Sequence, residues 1–166
     1  MALSMTERGR LLRRARLCIS VFILGLVLSG LTAFPLGTEM AFVVRVCNHF
    51  DFVPAEFSLW MVTVHDAVVD ANARYPFMAY GTDWLAFAHL VIAVAFIGAW
   101  RDPARNRWVL QFGLIACAMV IPFALIAGGV RELPFFWRLI DCSFGVVGAL
   151  VLWPAYRIAG ELERGS

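Results

Sequence analysis

Four side chains that could do chemistry stand in stretches that are otherwise apolar: Ser29, His89, Arg138 and Asp141. An ionisable group in a hydrocarbon-like setting is costly, so His89, Arg138 and Asp141 are functional candidates from the outset, and Ser29 is a polar residue at a depth to join them. Their chemistries are complementary. An imidazole exchanges a proton near neutral pH. A carboxylate accepts one, and a guanidinium holds an anionic head group or carboxylate through paired hydrogen bonds. Arg138 precedes Asp141 by three residues, which puts both on one side of a helix. Two readings follow from the same residues. In one, they form a polar pocket that binds a small amphipathic ligand or moves a proton. In the other, Arg138 pairs with Asp141 and His89 hydrogen-bonds to a neighbouring helix, and the group only fastens the fold.

Several other chemistries find no support. All 14 basic residues are arginine, so nothing can form a Schiff base. Cys18, Cys47, Cys117 and Cys142 contain no Cys-x-x-Cys pair of the kind a dithiol redox centre uses. Only His89 lies in an apolar run, so a haem between facing histidines lacks its second ligand unless His49, His65 or a methionine supplies it. Phosphate-loop, nucleophile-elbow and dinucleotide-binding patterns are absent. Asp66 and Asp70 share a helical face and could hold a divalent cation, but spacing alone is a weak signal. His49 and Cys47 have no further ligand beside them, and no metal site is expected. The arginine stretches are short and flank apolar runs, which speaks against a nucleic-acid partner and for contact with membrane lipid.

The elements that must position the four candidates are unusually apolar. The chain is 61% hydrophobic and 16% charged, where a soluble domain is roughly 25% charged. Apolar runs cover 17–34, 84–100, 108–128 and 134–156, each near the length of roughly 20 residues that a helix needs to cross a bilayer. The first run follows an arginine-rich start and could be a secretory signal. It is longer than the usual signal core, and a retained helix is the preferred reading.

The segment 35–82 separates the first two runs. The stretch from Glu39 to Asp83, which runs one residue past it, carries six acids and two arginines, a net charge of −4. The triplet Pro35-Leu36-Gly37 breaks the first helix. From Pro54 to Arg74, the residues Phe57, Trp60, Met61, Val64, Val68 and Ala71 recur at helical spacing. Pro54 suits a first helical turn, and Tyr75-Pro76 ends the helix. A shorter helix is expected over 38–50.

Arginine asymmetry sets the orientation. The amino-terminal stretch and the 101–107 link are arginine-rich, and both face one side if there are four spans. The acidic insertion then faces the other side, so both termini are expected in the cytoplasm. Trp84, Trp100, Trp108, Trp137 and Trp153 fall near span ends, where indole rings prefer the interface. His89 lies five residues inward of Trp84, roughly 8 Å, and Asp141 four inward of Trp137, roughly 6 Å. Ala86 and Ala93 share a face with His89; Gly145 and Gly148 share one with Asp141. Small residues favour helix contact, which turns both polar groups towards the bundle interior. On the first span, Gly25, Ser29 and Thr32 make a similar face. Asp83 lies about 120° round the helix from His89 and is read instead as a cap on the second span.

The expectation is an all-α integral membrane protein: a four-transmembrane-helix bundle, a single membrane domain with an extracytoplasmic helical insertion between helices 1 and 2. In a bacterium it would lie in the cytoplasmic (inner) membrane. The leading functional expectation is a binding or accessory protein. It would hold a small amphipathic ligand or a partner membrane protein at Ser29, His89, Arg138 and Asp141. Two alternatives stay open. One is an enzyme or redox protein acting on lipid, quinone or haem, with His89 and Asp141 moving protons. The other is a structural subunit of a membrane complex.

Overall fold

The structure is a computed structural model that describes residues 4–50 and 52–165; Asp51, one of the acids of the insertion, lies outside them. Among the described residues there are helices and no strands. In chain order they are α1 (Met5–Ala33), α2 (Leu36–His49), α3 (Ala55–Arg74), a 3₁₀ turn (Pro76–Met78), α4 (Ala79–Arg101), α5 (Arg107–Val130) and α6 (Phe135–Arg164). The helices α1, α4 with its leading turn, α5 and α6 are long and apolar enough to cross a membrane. Between 11% and 22% of their most apolar windows is buried within the protein. Leucines, phenylalanines and valines such as Leu24, Leu28, Val94, Phe123, Phe144 and Leu150 are exposed along them. Exposed apolar surface on this scale marks a membrane-facing or protein-interaction surface.

Helix boundaries follow local chemistry. Ser4 and Glu7 form a capping box at the start of α1. The Glu7 amide donates to Ser4 Oγ at 3.2 Å, and the Ser4 amide donates to Glu7 Oε2 at 3.1 Å. The bond from the Ser4 amide to the charged carboxylate, and a smaller side-chain contribution from Ser4, hold the Glu7 carboxyl below its ordinary value, with Arg10 a lesser contributor. α1 ends at Ala33, and α2 starts directly after Pro35. The break is therefore Phe34-Pro35, and Leu36 and Gly37, expected to interrupt the chain, already belong to α2. That helix starts two residues earlier than expected and ends one residue earlier, at His49. α3 runs from Ala55, directly after Pro54, to Arg74, and Tyr75 closes it by donating its amide to Ala71 O at 2.7 Å.

α4 begins earlier than expected. The 3₁₀ turn at Pro76 leads directly into it, so 79–82 belong to α4 and not to the insertion. Asp83 is then its fifth residue, beyond the orphan amides of the first turn. The capping role expected of it is corrected. At the far end of α4, Asn106 Nδ2 donates to Gly98 O and Asp102 O at 3.1 and 3.0 Å.

α5 ends in a Schellman motif. The Leu133 amide donates to Gly128 O at 2.9 Å and the Glu132 amide to Gly129 O at 3.1 Å. Glu132 takes the left-handed position with φ 57°, where glycine is usual.

The chain divides into two compact units. One comprises the residues up to Gly25 and those from Ala93 onward; the other is Leu26–Ile92. In the first, α5 and α6 form a close hairpin. A Cβ placed on Gly145 would lie 2.5 Å from Cys117 O, so the α6 backbone rests on the α5 backbone. Phe96, Ile19, Leu110, Leu152 and Leu162 fill the centre, and the Phe22 and Phe96 rings meet at 4.8 Å. In the second unit, α2 and α3 form a hairpin over Cys47 and Met61, both buried. There α1 meets α4 at Gly30, where a Cβ would stand 2.9 Å from Ala86 O.

Candidate functional site

The four predicted residues divide between the units: Ser29 and His89 belong to Leu26–Ile92, and Arg138 and Asp141 to the other. His89 is half-buried on the face of α4 that also carries the buried Ala86 and Ala93. Its Nδ1 lies 2.8 Å from Leu85 O. A carbonyl oxygen only accepts, so Nδ1 carries the proton, and Nε2 of the neutral ring keeps its lone pair. Ser29 is exposed, and its hydroxyl has no partner among the described residues. At this level the residue of α1 that meets α4 is Gly30, one position and about 100° further round. Its absent side chain brings the α1 backbone within reach of Ala86 O and His89 Cβ. Gly25 has open space around it, so the face Gly25-Ser29-Thr32 is not the contact face.

Arg138 does not pair with Asp141. Its Nε donates to Leu133 O at 2.8 Å. Its stem and guanidinium lie over Gly128 and Gly129, where added Cβ atoms would meet Arg138 Cγ at 2.9 Å and Nη1 at 3.3 Å. Arg138 thereby ties the start of α6 to the end of α5. Asp141 is half-buried, and its carboxylate has no hydrogen-bond or ion-pair partner among the described residues. Gly145 and Gly148 on its face pack against Cys117, as small residues at a helix contact should.

Two carboxylates of α3 are engaged by neighbours. Asp70 pairs with Arg74 at 2.8 Å, and Asp66 accepts from His65 Nδ1 at 3.0 Å. Among the described residues, no three His, Cys, Asp or Glu side chains group as a metal would need.

The sequence did not point to the cavity of this fold. About 430 Å³ of space lies within Leu26–Ile92, where the end of α1, the start of α2, one face of α3 and the start of α4 converge. Phe34, Val68 and Met78 are among its apolar walls; Thr38, Asn72, Thr82 and Asp83 supply polar groups. Val68, Ala71 and Asn72 reach it together because residues three and four apart share a helical face. Asp83 is there because α4 starts at Ala79, which places it one turn inside the helix. The signal that could have found it is Pro76. A proline at a helix start marks the beginning of α4 well before Asp83.

Protein-family models, curated proteins and solved structures were compared with this chain, and none matches it. The fold and its sites therefore define only a class, an all-α chain with four helices fit to cross a membrane.

Proposed function

We propose that this chain is a multi-pass membrane protein that binds a small amphipathic ligand in the cavity between α1, α2, α3 and α4. In this reading α1, α4, α5 and α6 are the four spans. Both termini are cytoplasmic, in the inner membrane of a bacterium, and α2 and α3 form the extracytoplasmic insertion. The observation that carries the binding role is the cavity itself. Its volume falls in the range of roughly 300–1,000 Å³ typical of small-molecule sites, and it joins apolar walls to a few polar groups. On this topology it opens where spans meet the insertion, at the depth an amphiphile prefers. A second reading, proton transfer on a lipid or quinone, is favoured by His89, whose Nδ1 is held by Leu85 O, and by Asp141, whose carboxylate has no partner among the described residues.

The test has two parts. Full-length protein in a mild uncharged detergent should carry a bound lipid or other amphiphile in native mass spectrometry. Ala71→Trp, which fills the cavity, should remove it while the helix content by circular dichroism stays constant. A ligand retained in full by Ala71→Trp sinks the proposal for this cavity. For topology, a membrane-impermeant maleimide applied to intact cells should label Ala73→Cys and spare Arg105→Cys. The reverse pattern inverts the model.

A further inference from the structure

Resting on the reading of that cavity as a ligand site, we infer that its ligand is a cation, specifically a primary ammonium on an apolar body, held by Asp83. Among the described residues that line the cavity, Asp83 is the only charged one. Its carboxylate has no hydrogen bond or ion pair among the described residues, and it is half-buried. A half-buried carboxylate without a protein partner is free to pair with a bound cation. Nothing else in the lining offers an anionic ligand a positive side chain.

The surroundings act in the same direction. Leu26–Ile92 contains six acids and two arginines, a net charge of −4. Both arginines are engaged. Arg74 pairs with Asp70 at 2.8 Å, and Arg45 Nε donates to Ala41 O at 3.3 Å on its own helix. The field over this unit therefore attracts cations towards the cavity and repels anions.

The lining also separates kinds of cation. An ammonium has three donors. One meets Asp83, and the neutral oxygens of Thr38, Thr82 and Asn72 are available to the others. A quaternary ammonium has no donors and is recognised by aromatic rings packed around it. The lining holds one aromatic residue, Phe34, which is no cage. A primary amine is thus the better fit.

Binding of octylamine, octanol, octanoate and octyltrimethylammonium to the full-length protein in an uncharged detergent tests this, by equilibrium dialysis at neutral pH. Binding to Ala71→Trp supplies the background of partition into micelles. Above that background, octylammonium should bind about tenfold or more tightly than octanol, the worth of one hydrogen bond to a charged group. Octyltrimethylammonium should bind less tightly than octylammonium, and octanoate least of all. Asp83→Asn is close to isosteric and breaks no hydrogen bond seen here, so it should fold. It should bring octylammonium to parity with octanol, and Asp83→Glu should restore part of the preference. Glu56→Gln, which removes a charge from an exposed residue outside the lining, should leave the preference intact.

Three results overturn the inference, and they differ in what they spare. If octanol binds as well as octylammonium and Ala71→Trp abolishes both, the cation preference is wrong and the cavity reading stands. If Glu56→Gln lowers the preference as much as Asp83→Asn, the general field and not Asp83 selects the ligand. If no probe binds above the Ala71→Trp background, the cavity reading falls and the cation preference falls with it.

Discussion

Two glycines in apolar helices should respond oppositely to the same added methyl group. At Gly145 a Cβ would sit 2.5 Å from Cys117 O and 3.3 Å from Val120 Cβ. Ordinary contact starts near 3.4 Å, so the methyl is roughly 0.9 Å too close to a backbone atom. A backbone carbonyl cannot move aside by changing rotamer. The relief must come from separating α5 and α6, which loosens their packing along the hairpin. Overpacking of this kind costs about 1–3 kcal/mol, and the backbone partner puts Gly145→Ala at the upper end. At Gly25 nothing lies within 4 Å, so Gly25→Ala meets no obstruction. Both substitutions gain the same helix propensity, about 1 kcal/mol in water. That gain cancels when the variants are compared with each other. The difference between them, about 2–3 kcal/mol with Gly145→Ala the less stable, therefore reports the clash alone. Unfolding by a denaturing detergent, followed by tryptophan fluorescence and circular dichroism, measures it. Equal stabilities for the two variants would refute the close approach of α5 to α6 at this level.

Two further outcomes concern helix ends. Glu132→Gly should stabilise the α5–α6 hairpin by about 1 kcal/mol, because a residue with a Cβ at φ 57° carries a penalty that glycine lacks; an unchanged or lower unfolding midpoint counts against the Schellman geometry. Glu7 provides a pH dependence. Its folded value is depressed below the ordinary 4.5 by the bonds to Ser4, so its contribution is fully present above about 4.5 and is lost as pH falls through the depressed value. Amide exchange at Arg8, whose N–H donates to Ser4 O at 2.9 Å, should lose protection over that window, and Ser4→Ala should abolish the pH dependence.

Which features could be read from the sequence follows from what creates them. The apolar runs became α1, α4, α5 and α6 because length and hydropathy are local properties, and α3 ends where Tyr75-Pro76 allows. The runs nevertheless understated the helices. α1 starts at Met5 and α6 continues to Arg164, since arginine and glutamate are good helix formers and nothing stops the backbone at the edge of an apolar run. His89 shares a helical face with the buried Ala86 and Ala93, as three- and four-residue spacing dictates. Gly30 was not chosen because the wheel of α1 offers several small residues, and only the position of α4 decides among them. Arg138 and Asp141 showed the limit of spacing. Three residues apart is close enough to pair, but a carbonyl at the hairpin end lies nearer the guanidinium. The cavity was illegible for the same reason. Its lining comes from four helices, and no segment carries its signature.

The arginines show how one residue type serves two ends that the sequence cannot separate. Arg16 donates to Trp100 O and Arg101 O at 3.1 and 3.0 Å and lies 5.2 Å from the Trp100 ring. Arg107 stacks on Tyr156 at 4.4 Å, pairs with Glu163 at 3.2 Å and packs where Gly160 leaves room. These contacts need the planar fork of a guanidinium, which an ammonium does not reproduce. Arg13, Arg14, Arg101 and Arg105 have exposed side chains that make no hydrogen bond or ion pair among the described residues. In the proposed topology their contribution is charge alone, holding them on the cytoplasmic face. Lysine would do that equally well. The absence of lysine from the chain is therefore required by the fold at Arg16 and Arg107, and by nothing in the structure at Arg13, Arg14, Arg101 and Arg105.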